Sequence, residues 1–387
     1  MSPTSPTGVT NLTGVTSLTS PIEHLIHSAE EDELRAGVRD LLTERVPLAA
    51  LLARIETDEP YDPKLWRVLA EQIGAAGLAI AEEHGGSGAT WRETAVVMEE
   101  LGRAVAPTPF LGSAVLATAA LRHVGAGEPL ADLASGRRVA TLAVSFASVP
   151  GARLPYEVRA DDDTLVGTVR SVVDAGGADL LVVLATTPDG PVLYAVDSGH
   201  PGVDRRPVVS LDLTRPLTDL VLTGVPGTPL ARGADAEAAV ATAITTGAAL
   251  LASEQLGLAD HCLESTVAYM KTRHQFGRPV GSFQGPKHRL AALWVSVTQA
   301  RAVARYAAAC VAAGDPDTAI AVAVAQAHCS EIAVRAAEEC VQLHGGIGFT
   351  WEHHAHLYLK RAKADSLAFG TPDRHRALLA DLVNLPA

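Results

Sequence analysis

Residues 273–284 read Arg273-His274-Gln275-Phe276-Gly277-Arg278-Pro279-Val280-Gly281-Ser282-Phe283-Gln284. The stretch interrupts two long Ala- and Leu-rich segments whose apolar residues recur at three- and four-residue steps, the period of a helix with one buried face. It therefore reads as a short connection between two long helices. There a turn can present side chains outward: Arg273 a fixed charge with paired donors suited to a pyrophosphate, and Phe276 an aromatic face suited to a cofactor ring. The plainer alternative is an ordinary helix connection with a solvated arginine. Downstream, a further helix is expected to open at Asp315-Pro316, an N-cap residue followed by proline in the first turn. It closes on Gln342-Leu343-His344-Gly345-Gly346-Ile347-Gly348-Phe349-Thr350. A helix C-cap needs one glycine; three in four positions suit close approach of the backbone to a ligand.

Working outward, helical periodicity also dominates 29–135, through ELRAGVRDLLTERV, WRVLAEQIGAAGLAI and WRETAVVMEELGRAV. Between 136 and 232 it gives way to short β-branched runs, RVATLAV, TLVGTVRSVV, DLLVVLATT, PVLYAVD and LTDLVLTG, set off by Gly, Pro and Asp. Those runs predict strands. Residues 233–387 return to long helices, so the expected class is mainly α with a β insertion: a helical domain, a middle β domain and a helical bundle. Residues 1–28, opening MSPTSPTGVTNLTGVTSLTSPI, are expected to be a disordered tail. They carry no basic segment followed by an apolar one, so no secretory signal is expected and the expected location is cytoplasmic.

The 387 residues carry 31 Lys and Arg against 44 Asp and Glu, a net charge of −13. That balance argues against a nucleic-acid partner, which needs clustered cations. Apolar runs fall short of a membrane span, although AVATAITTGAALLA comes near. Cys262, Cys310, Cys329 and Cys340 show no CxxC spacing and read as reduced core thiols, with no metal site.

Taken together, RHQFGRPVGSFQ and QLHGGIGFTWEHHAHLYLKRAKA resemble the acyl-CoA dehydrogenase family, as do GLAIAEEHGGSG and VVMEELGRAVAPTPFLGSAVLA in the N-terminal half. The resemblance implies an N-terminal helical domain, a middle β domain and a C-terminal four-helix bundle. It implies FAD as cofactor, held across a dimer interface: Arg273, Gln275 and Phe276 toward the neighbour's FAD diphosphate, and Gln342, Gly345 and Gly346 toward its adenosine end. It also implies an acyl-CoA substrate and an electron acceptor such as electron-transfer flavoprotein. The family reaction takes a proton from Cα with a carboxylate and a hydride from Cβ with the flavin. The usual base precedes a Gly-Thr near the C-terminus, where this chain has Phe369; a second known location on the first long C-terminal helix falls at Gly247. Glu254, two turns beyond Gly247, is a weak substitute, with Asp174 and Asp365 weaker still. The tryptophan that packs on the flavin ring in the family is replaced at about Val172.

An intact cofactor motif beside absent bases resembles actinobacterial members of the family that act on bulky acyl-CoA, such as steroid side-chain esters, as heterotetramers in which one chain type carries the base. The leading expectation is a subunit that completes a related partner's FAD site. The alternatives are a homo-oligomeric dehydrogenase with a displaced base, or a relative that is oxygenase-like or binds acyl-CoA without redox chemistry.

Overall fold

A computed structural model describes residues 25–59 and 61–385. The tail expected over 1–28 lies outside the described residues as far as residue 24. Helix α1 (Ala29–Arg45) opens with a capping box: Ser28 Oγ accepts the Glu31 N–H at 3.1 Å, and the Glu31 carboxylate accepts the Ser28 N–H at 2.7 Å. α2 (Leu48–Ile55), α3 (Pro63–Glu71) and α4 (Trp91–Ala104) follow, α4 again with a capping box, from Thr90 and Glu93. A π-helical stretch, Leu111–Ala117, runs into α5 (Thr118–His123), and α6 (Gly127–Ala134) completes the N-terminal helices. The helical reading of WRVLAEQIGAAGLAI holds only for its first half. α3 stops at Glu71, Gly74 turns left-handed (φ 71°), and a single 3-10 turn, Ala75–Gly77, replaces the expected continuation.

The middle of the chain forms one sheet from β1 (Ala140–Leu142), β2 (Val158–Asp161), β3 (Thr164–Val173), β4 (Leu180–Thr187), β5 (Gly190–Asp197), β6 (Val203–Pro207), β7 (Leu217–Pro226) and β8 (Thr228–Arg232). Strand order is β6-β7-β3-β2-β4-β5-β8, with β1 parallel to β4. The β-branched runs account for β1, β3, β4, β5 and β7. The strands without such runs are β2, β6 and β8. β6 and β8 are edges, where polar residues cost little and discourage further pairing. β2 is short and alternates buried with exposed side chains.

Helix α7 (Gly233–Thr272) is the spine of the molecule, 40 residues long and packed against α4, α8 (Gln284–Ala313) and α9 (Thr318–His344). By length and apolarity it would pass for a membrane span, but 72% of that window is buried inside the protein. α4 and α7 cross at two glycines: a methyl on Gly102 would overlap the Glu254 backbone, and one on Gly257 the Glu99 backbone. Helix α9 begins later than Asp315-Pro316 predicts. Gly314 ends α8 in a left-handed turn, the Asp315 carboxylate accepts the Asp317 N–H at 2.8 Å, and Asp317 occupies the N-cap. α10 (Ala355–Asp365) and α11 (Pro372–Leu382) close the chain. All four cysteines are buried free thiols.

Candidate active site

Arg273 is the residue at which α7 ends, its N–H donating to the Tyr269 carbonyl at 2.9 Å. Beyond it His274–Gln275 and Arg278–Pro279 pair as a two-stranded hairpin. Its two-residue turn is Phe276-Gly277, both with positive φ (52° and 78°). Such a turn matches the twist of the strands but prefers Asn-Gly. Phenylalanine in the left-handed region is strained, and it is also 90% exposed. Its ring meets only Phe283, edge-on at 6.1 Å, so neither packing nor conformation favours phenylalanine at 276. Arg273 and Gln275 are exposed too, and Arg273 has no ion pair among the described residues.

The glycine segment at the end of α9 separates into three roles. Gly345 has φ 65° and ψ −138°, a conformation open only to glycine. At Gly348 a Cβ would lie 2.5 Å from the Val341 carbonyl oxygen, so packing forbids a side chain. Gly346 needs glycine for neither reason: its φ is not positive and a Cβ there would meet nothing within 4 Å. Bare backbone on an open surface is what a closely approaching ligand requires. Gln342 is exposed on the preceding turn. The two motifs are joined from beneath, where the His344 ring stacks on Tyr269, one turn before Arg273, with centroids 4.5 Å apart.

A cavity of about 370 Å³ lies between the sheet and the last helices, lined by Phe146, Ser171, Leu211, Arg215, Leu367 and Ala368 among others. It sits against β3, the strand that carries Val172. Val172 is fully buried within the sheet's own core, and Ser171 lines the cavity instead. The cause is a bulge in β3 between Val169 and Val172, where Ser171 takes φ 54° and donates its N–H to Asp219 at 2.7 Å.

Phe369 and Gly247, distant in sequence, meet behind this cavity. Phe369 is fully buried with φ 52°, its ring edge-on to Phe146 at 5.4 Å. A Cβ on Gly247 would lie 2.9 Å from Phe369 Cζ and 2.5 Å from Leu116 Cδ2. The aromatic ring thus occupies the space that a side chain at Gly247 would need, and neither position offers a proton acceptor.

Glu254 fails as a substitute base for a reason invisible in helix geometry. It is buried in a network with Arg215, which it meets at short range, and Arg361 at 2.6 Å. Burial alone would raise its pKa, but the two guanidiniums outweigh it and hold the carboxyl below its usual range. Both oxygens are committed. Arg361 also pairs with Asp212 at 2.6 Å, and Arg215 with Asp365 at 2.9 Å. Three carboxylates facing two guanidiniums leave one negative charge in excess, and burial together with Glu254 pushes Asp365 well above the carboxylate range. Asp174 is pushed by burial up to about 6. Its carboxylate accepts the Gly112 N–H at 2.8 Å, pinned against the π-helical stretch and away from the residues lining the cavity. The missed members, Arg215, Arg361 and Asp212, left one signal in the sequence: Arg361 lies on the same face as Leu357 and Tyr358, and an arginine there needs a buried anion.

Family profiles for the acyl-CoA dehydrogenase N-terminal and C-terminal domains match residues 28–129 and 237–383. The acyl-CoA dehydrogenase IpdE2 of Mycolicibacterium smegmatis is 38% identical over 345 residues, spanning 89% of this chain and 96% of its own. Two solved structures share the architecture. A variant of the steroid ACAD Tcur3481–Tcur3483 has a TM-score of 0.81 at 31% identity, over 92% of this chain and 98% of its own. The ChsE4–ChsE5 complex of Mycobacterium tuberculosis has 0.82 at 29% identity, over 94% and 100%. The family's members bind FAD. The exposed Arg273, without an ion pair among the described residues, could donate to the phosphates of such a group, and the bare Gly346 backbone leaves room for close approach of another part of it. On sequence, fold and these motifs alike, the chain belongs to the acyl-CoA dehydrogenase family of oxidoreductases.

Proposed function

We propose that this chain is the baseless member of a pair: it completes the FAD site of a related catalytic subunit, and the assembly desaturates an acyl-CoA thioester between Cα and Cβ. The observation that carries the reading is the Phe369–Gly247 contact, which leaves both base positions without a carboxylate and packs them shut. Glu254, the remaining candidate, is consumed by Arg215 and Arg361. In contrast, the outward motif keeps its chemistry. Arg273 and Gln275 offer donors to the diphosphate, Phe276 an aromatic face, and Gln342, Gly345 and Gly346 the adenosine contacts. Bound FAD supplies the hydride acceptor for the Cβ hydrogen, and the partner's carboxylate takes the Cα proton. Exposed Phe276, Ile347, Phe349 and Trp351 on or beside the motifs suit burial against another subunit. Two of the similar structures are named for two different chains, Tcur3481–Tcur3483 and ChsE4–ChsE5, which favours the heteromeric form. An acceptor such as electron-transfer flavoprotein would take up the electrons, in the cytoplasm.

The visible absorption spectrum and native mass of the chain, purified alone and after co-expression with a related subunit, test this. The expected result is a colourless chain alone and stoichiometric FAD in the mixed assembly. A yellow homotetramer would overturn it, as would unchanged flavin content in an assembly carrying Arg273→Ala.

A further inference from the structure

The histidines of Trp351-Glu352-His353-His354-Ala355-His356 have no part in the flavin reading, yet two of them complete a row of touching rings. The His344 ring, at the end of α9, lies 4.5 Å from His353 between centroids. His353 lies 4.4 Å from His354, and His354 lies 5.2 Å from His261 on α7. His261 in turn stacks on Tyr358 of α10 at 4.4 Å. Past the 3-10 turn at Gly345–Phe349, the loop's backbone bonds are short-range ones, from the Thr350 N–H to Ile347 and from the His353 N–H to Thr350. Side chains, more than backbone, therefore fasten this segment to α7 and α9.

Three of the four imidazoles are placed to be neutral. A charged ring donates from both nitrogens. His353 Nδ1 accepts the Ala355 N–H at 3.2 Å, a bond that a hydrogen on that nitrogen would break. His261 Nε2 and His354 Nε2 are buried without a hydrogen-bond partner, so a hydrogen carried there meets no acceptor. His344 differs, since its Nδ1 donates to the Cys340 carbonyl at 2.7 Å with the Cys340 sulfur 3.6 Å away. Burial opposes a charge on His344, but Cys340 outweighs it and raises the pKa. The other three are lowered, first by burial and then by their neighbours in the row, His261 to about 3 and His354 to about 4. Among the groups that face them, Arg103 from α4, His344 from α9 and His356 from α10 oppose a further charge, and Cys340 alone favours one. Glu100, the one carboxylate lining the cleft beside His261 and His354, is bonded to Arg35 and Arg39.

We propose that this row is an acid-released latch: while neutral it clips residues 345–354, Gly345 and Gly346 included, against α7 and α9, and on taking up protons it lets the segment go. Lifting the segment frees His353 and His354 from their buried contacts, so the open form binds protons more readily than the closed one. The latch is therefore fully held above the ordinary histidine value of 6.5 and weakens as pH falls from there toward about 4, the value of His354 in the closed form. Loss of cofactor on opening rests on the flavin reading; the latch itself does not.

Hydrogen–deuterium exchange of the full chain, in the assembly in which it purifies, tests this at about pH 7.5 and about pH 5, with each rate taken relative to unstructured peptide at the same pH. Protection of residues 345–354 is expected to fall at least about tenfold at the lower pH, less than the gap between the closed and ordinary His354 values allows, while α8 keeps its protection. His354→Phe, which retains a ring without a titratable nitrogen, should remove most of that fall. His353→Asn, which retains an acceptor for the Ala355 N–H, should remove part of it. If neither variant folds, the comparison of segments within the wild type decides. No fall at residues 345–354, an equal fall in α8, or an undiminished fall in both variants would each overturn the latch. Flavin fluorescence of the same samples separates the two readings: opening with FAD retained leaves the latch standing and counts against the flavin reading, whereas FAD lost from Arg273→Ala without any acid opening does the reverse.

Discussion

Phe369 illustrates how much one side chain settles. Its amide donates to the Phe146 carbonyl at 2.8 Å and its own carbonyl is held by His375. A left-handed residue with a fully buried ring persists because its surroundings over-determine it. Truncation to Phe369→Ala opens a cavity against Gly247 and Leu116 and is expected to cost about 3–5 kcal/mol in urea denaturation. Gly247→Ala forces a methyl into the same space and should cost about 1–3 kcal/mol. Since the added methyl and the deleted ring compete for one volume, the double variant is expected to be more stable than the sum of the singles by at least about 0.5 kcal/mol. Additive losses would show that the two positions do not share that space.

Among the elements, the hairpin between α7 and α8 is built against its own local preference. Phe276 sits where Asn would sit more comfortably, is nearly fully exposed, and packs only edge-on to Phe283 at 6.1 Å. Phe276→Asn should therefore stabilise the chain slightly, by about 0.5–1 kcal/mol, through relief of the left-handed strain. The same change should lower FAD content in the assembled enzyme. A rise in the denaturation midpoint without loss of FAD would mean the phenylalanine serves neither fold nor cofactor. Trade-offs of this sign are common where a functional residue overrides local propensity. The π-helical stretch before α5 is a comparable irregularity: Gly112 gives up a side chain so that Asp174 can reach its N–H, as a Cβ there would lie 2.8 Å from the Asp174 Cβ.

For the molecule as a whole, the buried ion network ties the loop before β7, through Asp212 and Arg215, to α7 through Glu254 and to α10 through Arg361 and Asp365. Removing one member of a fully paired set strands the opposite charge, so Glu254→Gln is expected to cost about 3–5 kcal/mol. Asp365→Asn should be far milder, within about 1 kcal/mol, because burial and Glu254 favour the neutral form of Asp365, which asparagine imitates. The two carboxyls also differ in their dependence on pH. Glu254 has a folded pKa below its unfolded value, so its contribution is present above the unfolded pKa and disappears as pH falls through the folded one. Asp365 has a folded pKa above its unfolded value. The folded state keeps a proton that the unfolded state releases, and stability falls as pH rises from the unfolded pKa toward the folded one. Asp365→Asn should remove that decline, which denaturation midpoints taken across the acid-to-neutral range will show; a decline unchanged in the variant would place the proton elsewhere.

Sequence by itself determined the element types wherever periodicity was strong, as in α4, α7, α8, β3 and β4, together with the order of helices, sheet and helices. It also determined the cofactor motif's composition and the lack of a carboxylate at positions 247 and 369, because these are properties of residues read singly or at short spacing. It was poor at edge strands β6 and β8, whose polar composition reflects exposure rather than conformation, and at the start of α9, where two aspartates compete to cap. Tertiary structure alone decided that Gly247 and Phe369 face each other, that Ser171 rather than Val172 lines the cavity, and that Glu254 is spoken for by arginines from two other elements. Each of these rests on contacts between segments far apart in the chain, or on a bulge that reverses which side chain faces inward, and local pattern carries no record of either.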